Sequence, residues 1–295
     1  MTRRGAPPGL AAALLAAKLL AVVLTAFASL AHAGMSGTCG GEENPCPVEL
    51  GRYYVAEPDA GAADGAVIFL HGYKGSGAGV LANAGLVRAV TGAGYLLIAP
   101  HGRDGTWNHV GSPAGHDRDE LAFLAQVRRD AVARFDLAGK PILVAGFSQG
   151  ASMVWDVACT RADAYTAFAA VAGAFWRPLP DGCPAGAIDL THIHGVGDEV
   201  VPLEGRPIGG DWRQGEVGRA LGLLKRHNGC PAAPDRRTLD GALNCAHWTS
   251  CRRGPPAGLP ARRRAHHQAR LGGRRARVDA DARRVIARLR RPSRT

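Results

Sequence analysis

The sequence predicts an α/β fold with a mostly parallel central sheet and helices on both faces. Short apolar runs of strand length recur along the chain. Segments with helical spacing of apolar residues separate these runs, as βαβ units require. Hydrophobic residues make up 46% of the 295 residues, which supports a buried core and argues against wholesale disorder.

Six apolar runs and four helical segments follow one another along the chain. Gly72 ends the second run and Pro100 ends the third, as expected for buried strands that stop at a turn. The predicted strands are 52–55, 66–70, 95–99, 141–145, 168–172 and 188–194, and the predicted helices are 79–91, 116–135, 151–159 and 215–227. Right-handed crossovers place the carboxyl ends of the parallel strands on one edge, where ligands bind in such sheets.

Residues 1–33 are typical of a secretory signal peptide. Arg3 and Arg4 form a basic start, residues 19–30 are apolar, and Ala31-His32-Ala33 is an A-x-A cleavage site. The alternative is an uncleaved anchor, but the run is short for a span of roughly 20 residues. We therefore expect a secreted protein, extracellular or periplasmic, with no stable membrane anchor after cleavage.

Seven cysteines in an exported chain predict disulfides. No C-x-x-C pair occurs, which gives no support to a zinc cluster or a thioredoxin-type motif. Cys39 could pair with Cys46, and Cys159 with Cys183. The other three are Cys230, Cys245 and Cys251, so an odd count leaves one cysteine without a disulfide, and sequence does not fix the pairing.

The net charge of +11 is concentrated in residues 252–295, which hold fifteen arginines and two acids. The remaining 251 residues are close to neutral, so we predict no nucleic-acid partner for the domain at 34–251. A basic segment can bind polyanions, but charge blocks are more often solvated or disordered. We therefore divide the chain into a signal peptide, a catalytic domain at 34–251 and an Arg-rich C-terminal segment.

Ser148 is the predicted nucleophile, because Gly146-x-Ser148-x-Gly150 follows an apolar strand and opens a helix. Glycines on either side let the strand and the helix pass closely, while the serine hydroxyl is held clear of the sheet. The alternative is a glycine-rich turn without catalysis.

A second motif, His71-Gly72-Tyr73, follows the strand at 66–70. A glycine-bearing loop there can aim a backbone N–H at an oxyanion, so the N–H groups of Tyr73 and Gln149 are the predicted oxyanion hole. An ordinary glycine turn is the alternative, and His71 is predicted to be structural rather than a proton carrier.

Asp198 is the predicted catalytic acid. It lies in a loop after the strand at 188–194 and 50 residues beyond Ser148, which fits the chain order Ser, Asp, His. An aspartate in this position orients the catalytic imidazole and stabilises its cation. The neighbouring Glu199, or a merely solvated loop acid, is the alternative.

Several motifs together resemble the secreted polyhydroxybutyrate depolymerase and LpqC-type esterase family, which includes feruloyl esterases. The matching residues are Leu70 to Tyr73, Pro100 to Arg103 with Trp107 and Asn108, Gly146 to Met153, Val171 to Ala174, and His194 to Pro202. The resemblance implies an α/β-hydrolase fold, ester hydrolysis without metal or cofactor, and a Ser–Asp–His triad. It also places Trp107 and Asn108 at the border of the acyl site, although a packed aromatic and a turn would explain them equally well.

The catalytic base is the weakest part of this resemblance. The family pattern puts it in a Gly-Gly-His loop, whereas here Gly272-Gly273 is followed by Arg274. His227 and His247 come too early, so His266 is the predicted base, with His267 beside it. The sequence thus predicts a serine hydrolase of polyhydroxyalkanoate or feruloyl-type esters. The alternatives are a secreted binding protein that lacks a proper catalytic histidine, and a polyanion binder.

A change of reading frame would explain why Arg-rich sequence without strands begins where a strand and a catalytic histidine are expected. We expect the gene across codons 245–295 to encode, in another frame, a strand and a continuation like that which follows Gly-Gly-His in the family. Sequencing that region tests this. A clean frame with no such alternative strand would show the hypothesis to be wrong.

Overall fold

A computed structural model describes residues 39–59 and 61–252 of the chain. The predicted signal peptide, His266, His267 and nearly all of the Arg-rich segment lie outside these ranges. Across the described ranges, no helix combines the length and hydropathy that a membrane span requires.

A seven-stranded sheet forms the centre of the described fold. Its strand order is β1-β2-β4-β3-β5-β6-β7. The strands from β4 to β7 run parallel, while β2 is antiparallel to both β1 and β4. The strands are β1 (Cys46–Val48), β2 (Gly51–Ala56), β3 (Gly65–Leu70), β4 (Tyr95–Pro100), β5 (Ile142–Phe147), β6 (Ala167–Val171) and β7 (Leu190–Ile193).

Helices cover both faces of this sheet, as the sequence predicts, and the described residues form five α-helices where four were expected. They are α1 (Gly77–Leu81), α2 (Ala84–Thr91), α3 (Glu120–Arg134), α4 (Gln149–Arg161) and α5 (Val217–Asn228), with short 3-10 turns at Arg103–Gly105 and Ala162–Ala164. Alternate residues of β3 supply the two cores: Val67 and Phe69 pack towards α1 and α2, whereas Ile68 packs on the face that carries α3, α4 and α5.

Three features differ from the sequence-based prediction, and the first is the short edge strand β1 (Cys46–Val48), which was not predicted. The helix expected at 79–91 is two helices, because the Asn83 side chain accepts a hydrogen bond from the N–H of Leu86 and starts a new helix. Two small antiparallel hairpins, β8 (Pro207–Gly209) with β9 (Trp212–Arg213) and β10 (Arg236–Asp240) with β11 (Leu243–His247), were not predicted. Their polar, short strands carry no long apolar run.

Three disulfides join six of the seven cysteines, which fits an oxidising compartment. Cys39 pairs with Cys46, Cys159 with Cys183, and Cys230 with Cys251. The first two pairs were expected, and the third resolves the choice that sequence left open. Cys245 is buried in β11.

Close backbone contact fixes α4 against the ends of β3 and β5. A Cβ on Gly150 would overlap the carbonyl oxygens of Leu70 and His71, and one on Gly146 would lie 2.6 Å from the carbonyl carbon of Gly150. Both distances are shorter than real Cβ contacts allow, so both glycines of the predicted motif are required for packing.

Replacing Gly150 with alanine should lower the free energy of unfolding by about 3 kcal/mol or more, because the added methyl meets backbone atoms that cannot move aside. Urea unfolding followed by circular dichroism measures this. The control is Gly218→Ala at an exposed position of α5, where a Cβ meets nothing within 4 Å. Alanine there should raise stability by up to about 1 kcal/mol. Equal effects of the two changes would contradict this account.

Candidate active site

Ser148 occupies a strained turn between β5 and α4. Its backbone has φ 54° and ψ −121°, a conformation that costs a residue with a side chain about 1 to 3 kcal/mol. Backbone hydrogen bonds hold it there: its N–H donates to Val171 O at 2.9 Å, and its carbonyl accepts from the N–H of Ser152 at 3.0 Å. This is the local geometry of a nucleophile elbow.

The loop after β3 lies directly against this serine. A Cβ placed on Gly72 would be 3.4 Å from Ser148 Cβ. The loop turns between Gly72 and Gly75, whose N–H donates to Gly72 O at 2.9 Å, and Lys74 adopts a positive φ of 56° within it. Among the described residues, nothing accepts a hydrogen bond from the N–H of Tyr73 or Gln149. Their role as an oxyanion hole stays a prediction.

His71 locks this loop to the neighbouring one. Its Nδ1 lies 2.8 Å from Gly72 O and must donate to it, because a carbonyl oxygen only accepts. Its Nε2 accepts from the N–H of Gly102 at 2.9 Å. Burial lowers the pKa of His71 to about 4, so the ring is neutral at neutral pH. A neutral ring is what this pair of bonds requires, since the cation has no acceptor nitrogen.

Trp107 holds the same loop through a buried side-chain hydrogen bond. Its side chain is 0% exposed, and its indole N–H donates to His71 O at 2.8 Å. Its own carbonyl lies 3.4 Å from Gln149 Nε2. The predicted contact of Trp107 with substrate gains no support from this burial. Asn108 is partly exposed and donates from Nδ2 to Arg118 O at 3.3 Å; its contact with substrate stays a prediction.

Asp198 is held rigidly in the loop that follows β7. Its Oδ1 accepts from the N–H groups of Val200 and Val201, both at 2.9 Å. Glu199, the alternative acid, is exposed and forms no hydrogen bond or ion pair within the described ranges, whereas Asp198 is held by two backbone N–H groups.

His194 braces this acid loop from the buried side, a role that the sequence did not reveal. Its Nε2 donates to Val201 O at 2.6 Å and lies 3.7 Å from Asp198 Oδ2. With that proton on Nε2, its Nδ1 accepts from His192 Nε2 at 3.2 Å. Burial lowers the pKa of His194, which favours the neutral ring. The His194-Gly195 pair was a signal in the sequence, but spacing alone could not show these bonds.

The described part of the chain brings no histidine into hydrogen bonding with the Ser148 hydroxyl. His227 binds Gly186 O at 2.8 Å, and His247 binds Thr238 Oγ1 at 2.8 Å. The exclusion of these two histidines on sequence order stays a prediction. His266, the predicted base, lies outside the described residues.

Protonation of His71 should weaken the loop lock at acid pH. The pKa is about 4 in the folded state and near 6.5 in the unfolded chain, so the stability that the neutral ring supplies is lost as pH falls from 6.5 through 4. At pH 4 this loss amounts to about 3 kcal/mol. The difference in unfolding free energy between wild type and His71→Gln should shrink by that amount between pH 7 and pH 4. A difference that does not change with pH would contradict the assignment.

Comparison with known proteins gives relatives for part of the chain. No family model matches it. Probable feruloyl esterase C of Aspergillus clavatus is 27% identical over 112 residues, 37% of this chain and 38% of the relative. Feruloyl esterase C of Emericella nidulans has the same identity and coverage. The chain thus matches little more than a third of the length of these relatives.

Among solved structures, acetyl xylan esterase from Aspergillus awamori superposes with a TM-score of 0.50 at 13% identity, covering 67% of this chain and 83% of the other. At that identity the likeness concerns the fold alone. The sheet order, the elbow and this structural likeness confirm the α/β-hydrolase fold that the motifs imply, and the feruloyl esterases are similar to this chain over about a third of its length.

Proposed function

We propose that this protein is a secreted serine hydrolase that cleaves carboxylic esters through an acyl-enzyme on Ser148. The observation that carries the proposal is the strained backbone of Ser148 at the junction of β5 and α4. Strain of this kind persists only where the surrounding structure over-determines it, and it concentrates at active sites. Here the strain presents a hydroxyl at the carboxyl edge of the parallel strands, where substrates bind in such sheets.

The first chemical step is attack of Ser148 Oγ on the ester carbonyl carbon. A base removes the hydroxyl proton and then delivers it to the departing alcohol. The negative charge that develops on the carbonyl oxygen is stabilised by the N–H groups of Tyr73 and Gln149. The amino terminus of α4 favours the same charge. Water then attacks the acyl-enzyme by the reverse sequence and releases the acid.

Asp198 orients the base in this proposal. Two backbone N–H groups donate to one oxygen of its carboxylate, and Nε2 of the buried His194 lies 3.7 Å from the other oxygen. A carboxylate fixed in this way selects one tautomer of an imidazole and stabilises its cation. His266 supplies the imidazole. No metal or cofactor takes part.

Feruloyl-type esters and polyhydroxyalkanoate esters such as polyhydroxybutyrate are the proposed substrate classes. The feruloyl esterases that match 37% of the chain support the first class. The motif resemblance supports both. Three disulfides support a site of action outside the cytoplasm.

A catalytically impaired binding protein is the second candidate. One observation favours it: the sequence has no Gly-Gly-His, the loop in which the family pattern places its base. Loss of a triad histidine leaves only residual activity from the oxyanion hole and binding.

Hydrolysis of short-chain p-nitrophenyl esters separates the two candidates. The full chain should turn these esters over, and Ser148→Ala should reduce kcat by at least about a thousandfold. Ser250→Ala, whose exposed hydroxyl donates to Asp235 just before β10, should leave kcat unchanged. Equal turnover by wild type and Ser148→Ala, at a rate above the uncatalysed background, would remove Ser148 from the mechanism. Background rates for both would favour the impaired protein.

A further inference from the structure

A cavity whose lining does not include Ser148 lies along α4. It has a volume of about 500 Å³, within the range of small-molecule sites. Its walls are the loop after β4, residues 117–121 at the start of α3, part of α4 and the segment 175–181. Asp156, on its α4 wall, is eight residues beyond Ser148, which is about 12 Å along the helix axis. A small molecule bound beside Asp156 would therefore not contact the serine hydroxyl.

His109 lines this cavity and carries a buried acceptor nitrogen. Its side chain is 4% exposed, and its ring packs edge-on against Trp176 with centroids 5.4 Å apart. Nδ1 lies 3.2 Å from Val110 O and donates to it, which leaves Nε2 as an acceptor. None of the described residues binds that Nε2. Burial lowers the pKa of His109 to about 4, so the ring stays neutral and adds no positive charge to the cavity wall.

Asp156 adds a buried carboxyl group close to this ring. Its Oδ2 accepts from the N–H of Val110 at 2.8 Å, which ties the carboxyl to the residue that follows His109. No cationic side chain within the described ranges forms an ion pair with it. Burial raises the pKa of Asp156 to about 7. A buried carboxylate without a cation is costly, and a cationic ligand would offset that cost.

The guanidinium and amide side chains on the cavity walls already donate to protein acceptors. Arg118 donates from Nε and Nη2 to Glu120, and from Nη1 to the carbonyl oxygens of Leu50 and His101. Asn108 donates to Arg118 O. The walls carry five carboxyl groups and this single guanidinium. The cavity therefore offers acceptors and negative charge, which excludes a carboxylate ligand and favours one that only donates.

We propose that this cavity binds a small organic cation with a primary ammonium group and an apolar body. An ammonium has three donors and no acceptor, which matches the Asp156 carboxylate on the cavity wall. The rings of Phe175 and Trp176 and the side chain of Met153 line the same cavity and accommodate the apolar part. Aromatic rings also attract cations.

Isothermal titration calorimetry with phenethylamine and 2-phenylethanol tests the proposal on the full chain. The two probes have nearly the same shape and differ in charge and donor number. The amine should bind at least tenfold more tightly than the alcohol. Asp156→Asn should remove most of that difference, whereas Asp211→Asn, an exposed carboxyl on the β8–β9 hairpin, should keep it. Ser148→Ala should also keep it, so the result is independent of the proposed hydrolase activity.

The pH dependence gives a second measurement that needs no variant. Several charged groups line the cavity with Asp156. Arg118 and Glu120 pair with each other. The others are the carboxyls of Asp117, Asp119 and Asp181, and His109 is the remaining titratable side chain. Ionisation of Asp156 between pH 6 and pH 8 should tighten amine binding by up to about tenfold. Equal binding of amine and alcohol, no saturable binding of the amine, or weaker amine binding at pH 8 would each overturn the proposal.

Discussion

Contact between backbones at the start of α4 is the constraint on which the rest of this structure depends. Gly146 and Gly150 lack the Cβ atoms that would separate the helix from β3 and β5. Because the helix can approach so closely, the chain must turn sharply between strand and helix, and Ser148 takes up that turn with a positive φ. The strain at one residue is thus offset by the packing of a whole helix, and the result is a hydroxyl fixed at the sheet edge.

The loops around Ser148 are held by neutral histidines rather than by ion pairs. His71 joins the turns after β3 and β4, and His194 braces the loop of Asp198 from within. A neutral imidazole has one donor and one acceptor, so each ring can join two backbone segments without bringing a charge into the core. Both rings are buried, and burial keeps them uncharged. The backbone of the candidate site is therefore held by neutral rings, and this support weakens when acid pH protonates them.

Sequence patterns predicted the central sheet well, because its strands are buried apolar runs between glycine and proline. They also predicted Ser148 at the start of a helix. They failed where local polar bonds decide the structure: the Asn83 cap divides one expected helix into two, and the hairpin at 236–247 has no apolar periodicity. The partners of His194 and His109 come from contacts between separate segments, which no single run of sequence encodes.

The central claim is that this fold makes Ser148 a nucleophile, and a covalent label tests it most directly. The protein is incubated with an alkyl fluorophosphonate and digested with trypsin, and the peptide 135–161, which contains both Ser148 and Ser152, is sequenced by tandem mass spectrometry. The account predicts one phosphonyl group on Ser148 and none on Ser152, which is buried in α4. An unlabelled peptide, or a label on Ser152, would contradict it.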